Sequence, residues 1–228
     1  HIRDAAGQKG TGRWTAIDAL ETGVPLTLIT EAVFARVLSS MKNERLAAAD
    51  RLGRPQPPAE TDREQYLGAI HDALYAAKII SSAQGFLQMR EAASEYGWNL
   101  AYGDIALLWR AGCIIRSTFL DDIKRAFERD PALPSLLFDD FFATALQQAE
   151  NGWREALMLG IRHAIPLPAL SAALSFFDGY RSEVVPANLL QAQRDYFGAH
   201  TYQRMDDPDG TAWHTHWTGD LREVKADG

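Results

Sequence analysis

The chain has 228 residues, with 23 Lys and Arg against 30 Asp and Glu, giving a formal net charge of −7 at pH 7. Its 46% hydrophobic and 23% charged residues are those of an ordinary folded chain, which excludes a disordered or collagen-like protein. An acidic chain with a pI near 5.4 also lacks the basic excess of a nucleic-acid-tracking surface, while leaving room for a small basic pocket.

The single cysteine, Cys113, excludes an internal disulfide and a CxxC metal site, and it suits a reducing compartment, so the cytoplasm is expected. There is no run of about 18 apolar residues that would mark a membrane-spanning helix. The opening residues, His1 to Gly7, have neither an initiator Met nor the order of a secretory signal, so the chain reads as a piece of something longer.

Apolar residues recur three and four apart through most of the sequence, which predicts an all-α, multi-helix body. A first helix is expected from about Trp14 to Gly23, with Pro25 as a breaker. A second runs from about Leu28 to Leu52 and ends at the proline cluster 55–58. A long helix from about Asp62 to Tyr96 carries Tyr66, Ile70, Ala73, Ala77 and Ile80 on one face and Leu67, Leu74 and Phe86 on another, the pattern of a helix buried between others. Further helices are predicted over Asp104–Arg129, Phe138–Ala164, Leu170–Val184 and Ala187–Phe197. From His200 onward the sequence is polar and has no helical period, so residues 199–228 read as an irregular tail after a helical domain of residues 1–198. Trp213 and Trp217 favour packing of that tail on another surface over fraying.

The segment Gly7-Gln8-Lys9-Gly10-Thr11-Gly12 leads directly into the first helix. Its glycines permit tight turns and expose backbone donors, Lys9 adds a positive charge, and a helix N-terminus favours anions. This is a physical recipe for holding a phosphate. The spacing is neither the dinucleotide fingerprint nor GxxxxGK[ST], so by itself it also fits a purely structural turn.

The run Ile2-Arg3-Asp4-Ala5-Ala6-Gly7-Gln8-Lys9-Gly10-Thr11-Gly12-Arg13-Trp14 resembles the signature of the decarboxylating 6-phosphogluconate dehydrogenases. Other blocks resemble that family in the same order: Glu31 to Arg36, Ala76 to Phe86, Trp109 to Arg116, Ala173 to Tyr180 and Gln191 to His200. The likeness runs from Ile2 to about Trp217. It implies an all-α bundle of the C-terminal-domain type, with a tail that packs on the partner subunit of a homodimer. It also implies the substrate 6-phosphogluconate, the cofactor NADP, and oxidative decarboxylation to ribulose 5-phosphate in the pentose phosphate pathway.

By the same resemblance, Lys9, Thr11 and Arg36 match positions that hold the substrate phosphate. Arg194 and His200 match positions that the tail region gives to the partner's site, the arginine to phosphate and the histidine to a substrate hydroxyl or carboxylate. The family's Rossmann NADP domain, its base lysine, its acid glutamate and its Ser-Gly-Gly loop all fall upstream of His1. No catalytic residue, cofactor site or metal site is therefore expected here, and the chain alone is expected to lack dehydrogenase activity. The competing reading is a stand-alone, non-catalytic helical module that binds phosphosugars or serves in assembly.

Ordinary structural roles are expected for the other conspicuous residues. Cys113, beside Ile114 and Ile115, reads as a buried thiol; Trp98, Trp109 and Trp153 read as core. Asp121-Asp122 and Asp139-Asp140 read as solvated acids near helix ends, and His214-Thr215-His216 is too unspecific for a metal site. An arginine placed like Arg36, between Phe34 and Val37, could also form a structural ion pair.

Overall fold

The computed structural model describes residues 1–58, 63–207 and 209–226. They fall into two compact units, His1–Asp178 and Gly179–Gly228. The helices are α1 (Thr11–Glu21), α2 (Thr27–Ser40), α3 (Lys42–Leu52), α4 (Arg63–Tyr96), α5 (Tyr102–Leu107), α6 (Leu120–Arg129), α7 (Asp140–Arg162), α8 (Pro168–Tyr180) and α9 (Ala187–Gly198). The all-α expectation is thus met, with the start predicted at Asp62 lying outside the described residues.

The first unit is built around α4, whose 34 residues make a rod about 50 Å long at about 1.5 Å per residue. Ala69, Ala73, Ala76 and Ala83 keep one side of α4 narrow, and α7 packs along it. Phe142, Leu146 and Trp153 from α7 complete the core together with Ile79, Ile80, Ile123, Leu136 and Phe177. Asp139 starts α7 as an N-cap, accepting from Phe141 N at 3.1 Å, and also pairs with Arg129. It is therefore buried and partnered rather than solvated.

Two predicted helices are broken. The expected Leu28–Leu52 helix divides at Met41, which has φ −79° and ψ 43°. Ser39 and Ser40 turn their hydroxyls back on the carbonyls of Arg36 and Val37, both at 2.7 Å, and Arg45 of α3 donates to Ser39 O at 3.1 Å. These bonds satisfy the end of α2 without a glycine or proline.

The expected Asp104–Arg129 helix is interrupted between α5 and α6, where Gly112 takes φ 69°. Ile114 in that interval is fully exposed, and Cys113 is half-buried rather than enclosed. Of the three tryptophans expected in the core, Trp153 is fully buried and Trp109 packs against Phe86, but Trp98 lies exposed beside Tyr96.

The long helix also departs from its predicted burial. Leu67 and Leu74 of its second predicted face are exposed, as is Ile70 of the first, so the first turns of α4 present an apolar stripe, while Phe86 further along is buried as expected.

The second unit is more regular than the irregular tail expected from sequence. After α9 it contains a three-stranded antiparallel sheet, β1 (Tyr202–Gln203), β2 (Ala212–Thr215) and β3 (Glu223–Lys225), in the order β1-β2-β3. Trp213 pairs with Tyr202 on one side and Lys225 on the other. The Arg204 and Lys225 cations lie over its indole, 5.3 and 5.5 Å from the ring centroid, and the indole N–H donates to Asp207 at 2.9 Å. Strands this short carry little periodicity, which is why only the absence of a helix was legible there.

Candidate functional site

The glycine-rich segment is strapped to the following helices by its own first residues. Asp4 pairs with Lys42 at 2.6 Å and with Arg45 at 3.1 Å, and Arg45 also donates to the Asp4 carbonyl at 2.8 Å. The hydrogen bonds from Lys42 and then Arg45 hold the Asp4 carboxyl down to about 2. Ala6 N donates to Ser39 Oγ at 2.9 Å, and the guanidinium of Arg36 donates to the Gly7 carbonyl. Arg36 thus lies against the loop that contains Lys9 and Thr11.

At the end of the loop Gly10 has φ 118°, a conformation that side-chain-bearing residues rarely adopt, and a Cβ there would sit 3.2 Å from the Trp14 ring. The chain then enters α1, where Gly12 leaves room for Val33: a Cβ at residue 12 would come within 3.0 Å of its methyl. No side chain caps α1 and no acid lies in its first turn, so its leading N–H groups have no competing anion from their own helix. Lys9, Thr11 and Arg36 are exposed, and neither cation has a carboxylate partner among the described residues. The structural ion pair considered for Arg36 is therefore not formed. What α1, the loop and Arg36 assemble is a set of donors with positive charge and open valences, suited to an oxyanion.

The position of α2, which carries Arg36, is set by a residue that drew no separate comment in sequence. Gln84 of α4 is fully buried; it accepts from Leu28 N at 3.1 Å and donates to Thr27 Oγ1 at 2.9 Å. It caps α2 from another helix, a role invisible to local capping rules because the two partners lie 56 and 57 residues away.

Arg194 and His200 both belong to the second unit, at the end of α9. Arg194 is exposed and donates to Gln191 Oε1 at 3.1 Å. His200 is exposed and has no hydrogen-bond partner among the described residues. Its ring lies over Gly198, where a Cβ would stand 2.9 Å from Nε2.

The residue missed by sequence reasoning is Asp195, fully buried between them in the chain. Its Oδ1 accepts from Thr201 N at 2.9 Å and His214 Nδ1 at 3.0 Å; its Oδ2 accepts from Thr215 N at 3.0 Å and Trp217 Nε1 at 2.8 Å. Burial pushes this carboxyl up, but His214, the Thr215 amide, Trp217 and the Thr201 amide outweigh it and bring it down to about 2. His214 is thereby explained as a hydrogen-bond donor. Among the described residues no cluster of three or more His, Cys, Asp or Glu could hold a metal ion.

These features define a mostly helical domain that offers an anion-ready loop on one unit and an arginine–histidine pair on the other. Residues 1–217 match the family described as 6-phosphogluconate dehydrogenase, C-terminal domain. The chain is 59% identical over 219 residues to the decarboxylating 6-phosphogluconate dehydrogenase of Ovis aries and 58% identical to that of Homo sapiens, in each case over 96% of the chain and 45% of the relative. Its fold is similar to the solved Plasmodium falciparum 6-phosphogluconate dehydrogenase, studied apo, with NADP+ and with 6-phosphogluconate, at a TM-score of 0.88 and 38% identity over 95% of this chain and 46% of that one. The chain belongs to the 6-phosphogluconate dehydrogenase family and corresponds to its C-terminal domain. It spans a little under half the length of these relatives. No helix among the described residues is long and apolar enough to cross a membrane.

Proposed function

We propose that this chain is the substrate-gripping and dimer-forming part of a cytoplasmic, NADP-dependent 6-phosphogluconate dehydrogenase. The enzyme oxidises 6-phosphogluconate at C3 with hydride transfer to NADP, releases carbon dioxide and protonates the resulting enediol to ribulose 5-phosphate. In this reading residues 1–198 are the domain body, residues 199–228 pack on the partner subunit, and the groups that move protons and bind NADP belong to the rest of the enzyme. The residues here supply grip: Lys9, Thr11 and Arg36 hold the phosphate, Arg194 joins them from the other subunit, and His200 orients a hydroxyl or the carboxylate.

The observation that carries this reading is the docking of Arg36 on the Gly7 carbonyl, which brings a guanidinium without a carboxylate partner to the loop of Lys9 and the open start of α1. In the full-length enzyme, Arg36→Ala is expected to raise the Michaelis constant for 6-phosphogluconate about ten- to 150-fold, the equivalent of about 1.5–3 kcal/mol for a charged hydrogen bond, with that for NADP unchanged. Steady-state kinetics with each substrate varied in turn makes the measurement. Equal damage to NADP would place the arginine on the wrong ligand.

A further inference from the structure

His200 is displayed on an unusual piece of backbone. The residues on either side of it, Ala199 and Thr201, have φ of 49° and 63°, in the left-handed region that side-chain-bearing residues seldom occupy. Two such residues around an exposed histidine need outside restraint to persist. It comes from one face of α9: Ala199 N donates to Asp195 O at 2.8 Å, Thr201 N to Asp195 Oδ1 at 2.9 Å, and Gln191 Nε2 to Thr201 O at 2.7 Å. The imidazole of His200 has no hydrogen bond of its own among the described residues and lies over Gly198, so the backbone turn and that contact place it.

We propose that Asp195 is a positioning residue for His200, its buried carboxylate locking the turn that presents the imidazole to substrate while its other oxygen ties that turn to β2 and Trp217. The proposal rests on the reading of His200 as a substrate contact. It differs from a general structural role because the carboxylate binds the residue immediately after the histidine.

Asparagine at this position makes a selective probe. An ionised carboxylate only accepts, and all four of its partners donate. Of those four, only His214 can turn into an acceptor, by changing tautomer. The amide group of an Asn should therefore face His214 and Thr201, keeping the bonds to Thr215 and Trp217 and leaving the Thr201 N–H without its acceptor. Asp195→Asn should untie the His200 turn and leave the sheet in place.

The test is a double-mutant cycle in the full-length enzyme. Asp195→Asn is expected to raise the Michaelis constant for 6-phosphogluconate about tenfold or more, with the NADP constant and the Trp217 fluorescence preserved. Added to His200→Ala it should change the 6-phosphogluconate constant by less than about twofold, since the histidine through which it acts is already gone. A single-variant effect below about twofold, or an undiminished effect in the His200→Ala background, would overturn the proposal and leave the substrate reading intact. If His200→Ala itself leaves the 6-phosphogluconate constant unmoved, the substrate reading fails and takes this inference with it.

Should Asp195→Asn lose the Trp217 signal, amide hydrogen exchange of the wild-type protein decides. The Thr201 amide should exchange as slowly as that of Thr215 if the carboxylate holds it, and exchange at the rate of a free amide would sink the idea.

Discussion

Asp4 and Asp195 are carboxylates that stay ionised far into acid for different reasons. Asp4 sits in the open between two cations, whereas Asp195 is buried and accepts four hydrogen bonds. Both fall from an ordinary 3.8 to about 2. A carboxyl whose folded value lies below its unfolded one contributes stability that is complete above the unfolded value and is lost as pH falls through the folded one. Acid titration should therefore lower the stability of the unit that Asp195 anchors as pH falls from about 4 to about 2, measured by urea unfolding at each pH, and Asp195→Asn should flatten that dependence. The Asp4 strap titrates in the same window but is screened by solvent, so its share should weaken further with added salt. The two differ in how far they could be read ahead. Asp4 stood inside a recognisable signature, but the donors to Asp195 come from 6, 19, 20 and 22 residues further on, and no local pattern announces them.

Among the helices, existence was easier to read than termination. Apolar periodicity located the helical stretches, because burial of one face imposes it. The break at Met41 was hidden because it depends on Arg45 reaching the end of α2 while also holding Asp4, a tertiary arrangement with no breaker residue in the sequence. The packing of α4 against α7 has a comparable dependence on contacts, and it can be tested at glycines. A Cβ at Gly152 of α7 would press on the Asp72 carboxylate and stand 2.9 Å from Asp72 Cβ, an atom fixed to α4. Gly152→Ala should therefore cost about 1–3 kcal/mol by overpacking, despite alanine's better helix propensity. Gly85→Ala on α4 meets nothing within 4 Å and should be neutral or stabilising by up to about 1 kcal/mol. Thermal or urea unfolding of the two variants side by side separates packing from propensity; equal behaviour would mean that α4 and α7 do not approach as closely as this.

For the whole molecule, the exposed apolar surface argues that these units work as part of something larger. Leu67, Ile70 and Leu74 form a stripe at helical spacing on α4, and Phe34, Val37 and Leu38 crowd α2, a helix without a single fully buried residue. Such faces are usually covered by a partner or by further chain. A site shared between subunits makes a prediction that depends on assembly and not on any one side chain. If Lys9 of one subunit works with Arg194 of the other, Lys9→Ala and Arg194→Ala homodimers are each impaired at every site. A mixed dimer then carries one site with both defects and one with neither. Random reassociation of equal amounts gives about half mixed dimers, so about a quarter of all sites become intact. Activity at low 6-phosphogluconate should accordingly rise to about a quarter of the wild-type value after the two full-length variants are unfolded together and refolded. If Lys9 and Arg194 served the same subunit's site, every site in the mixture would keep one defect, and mixing would restore nothing.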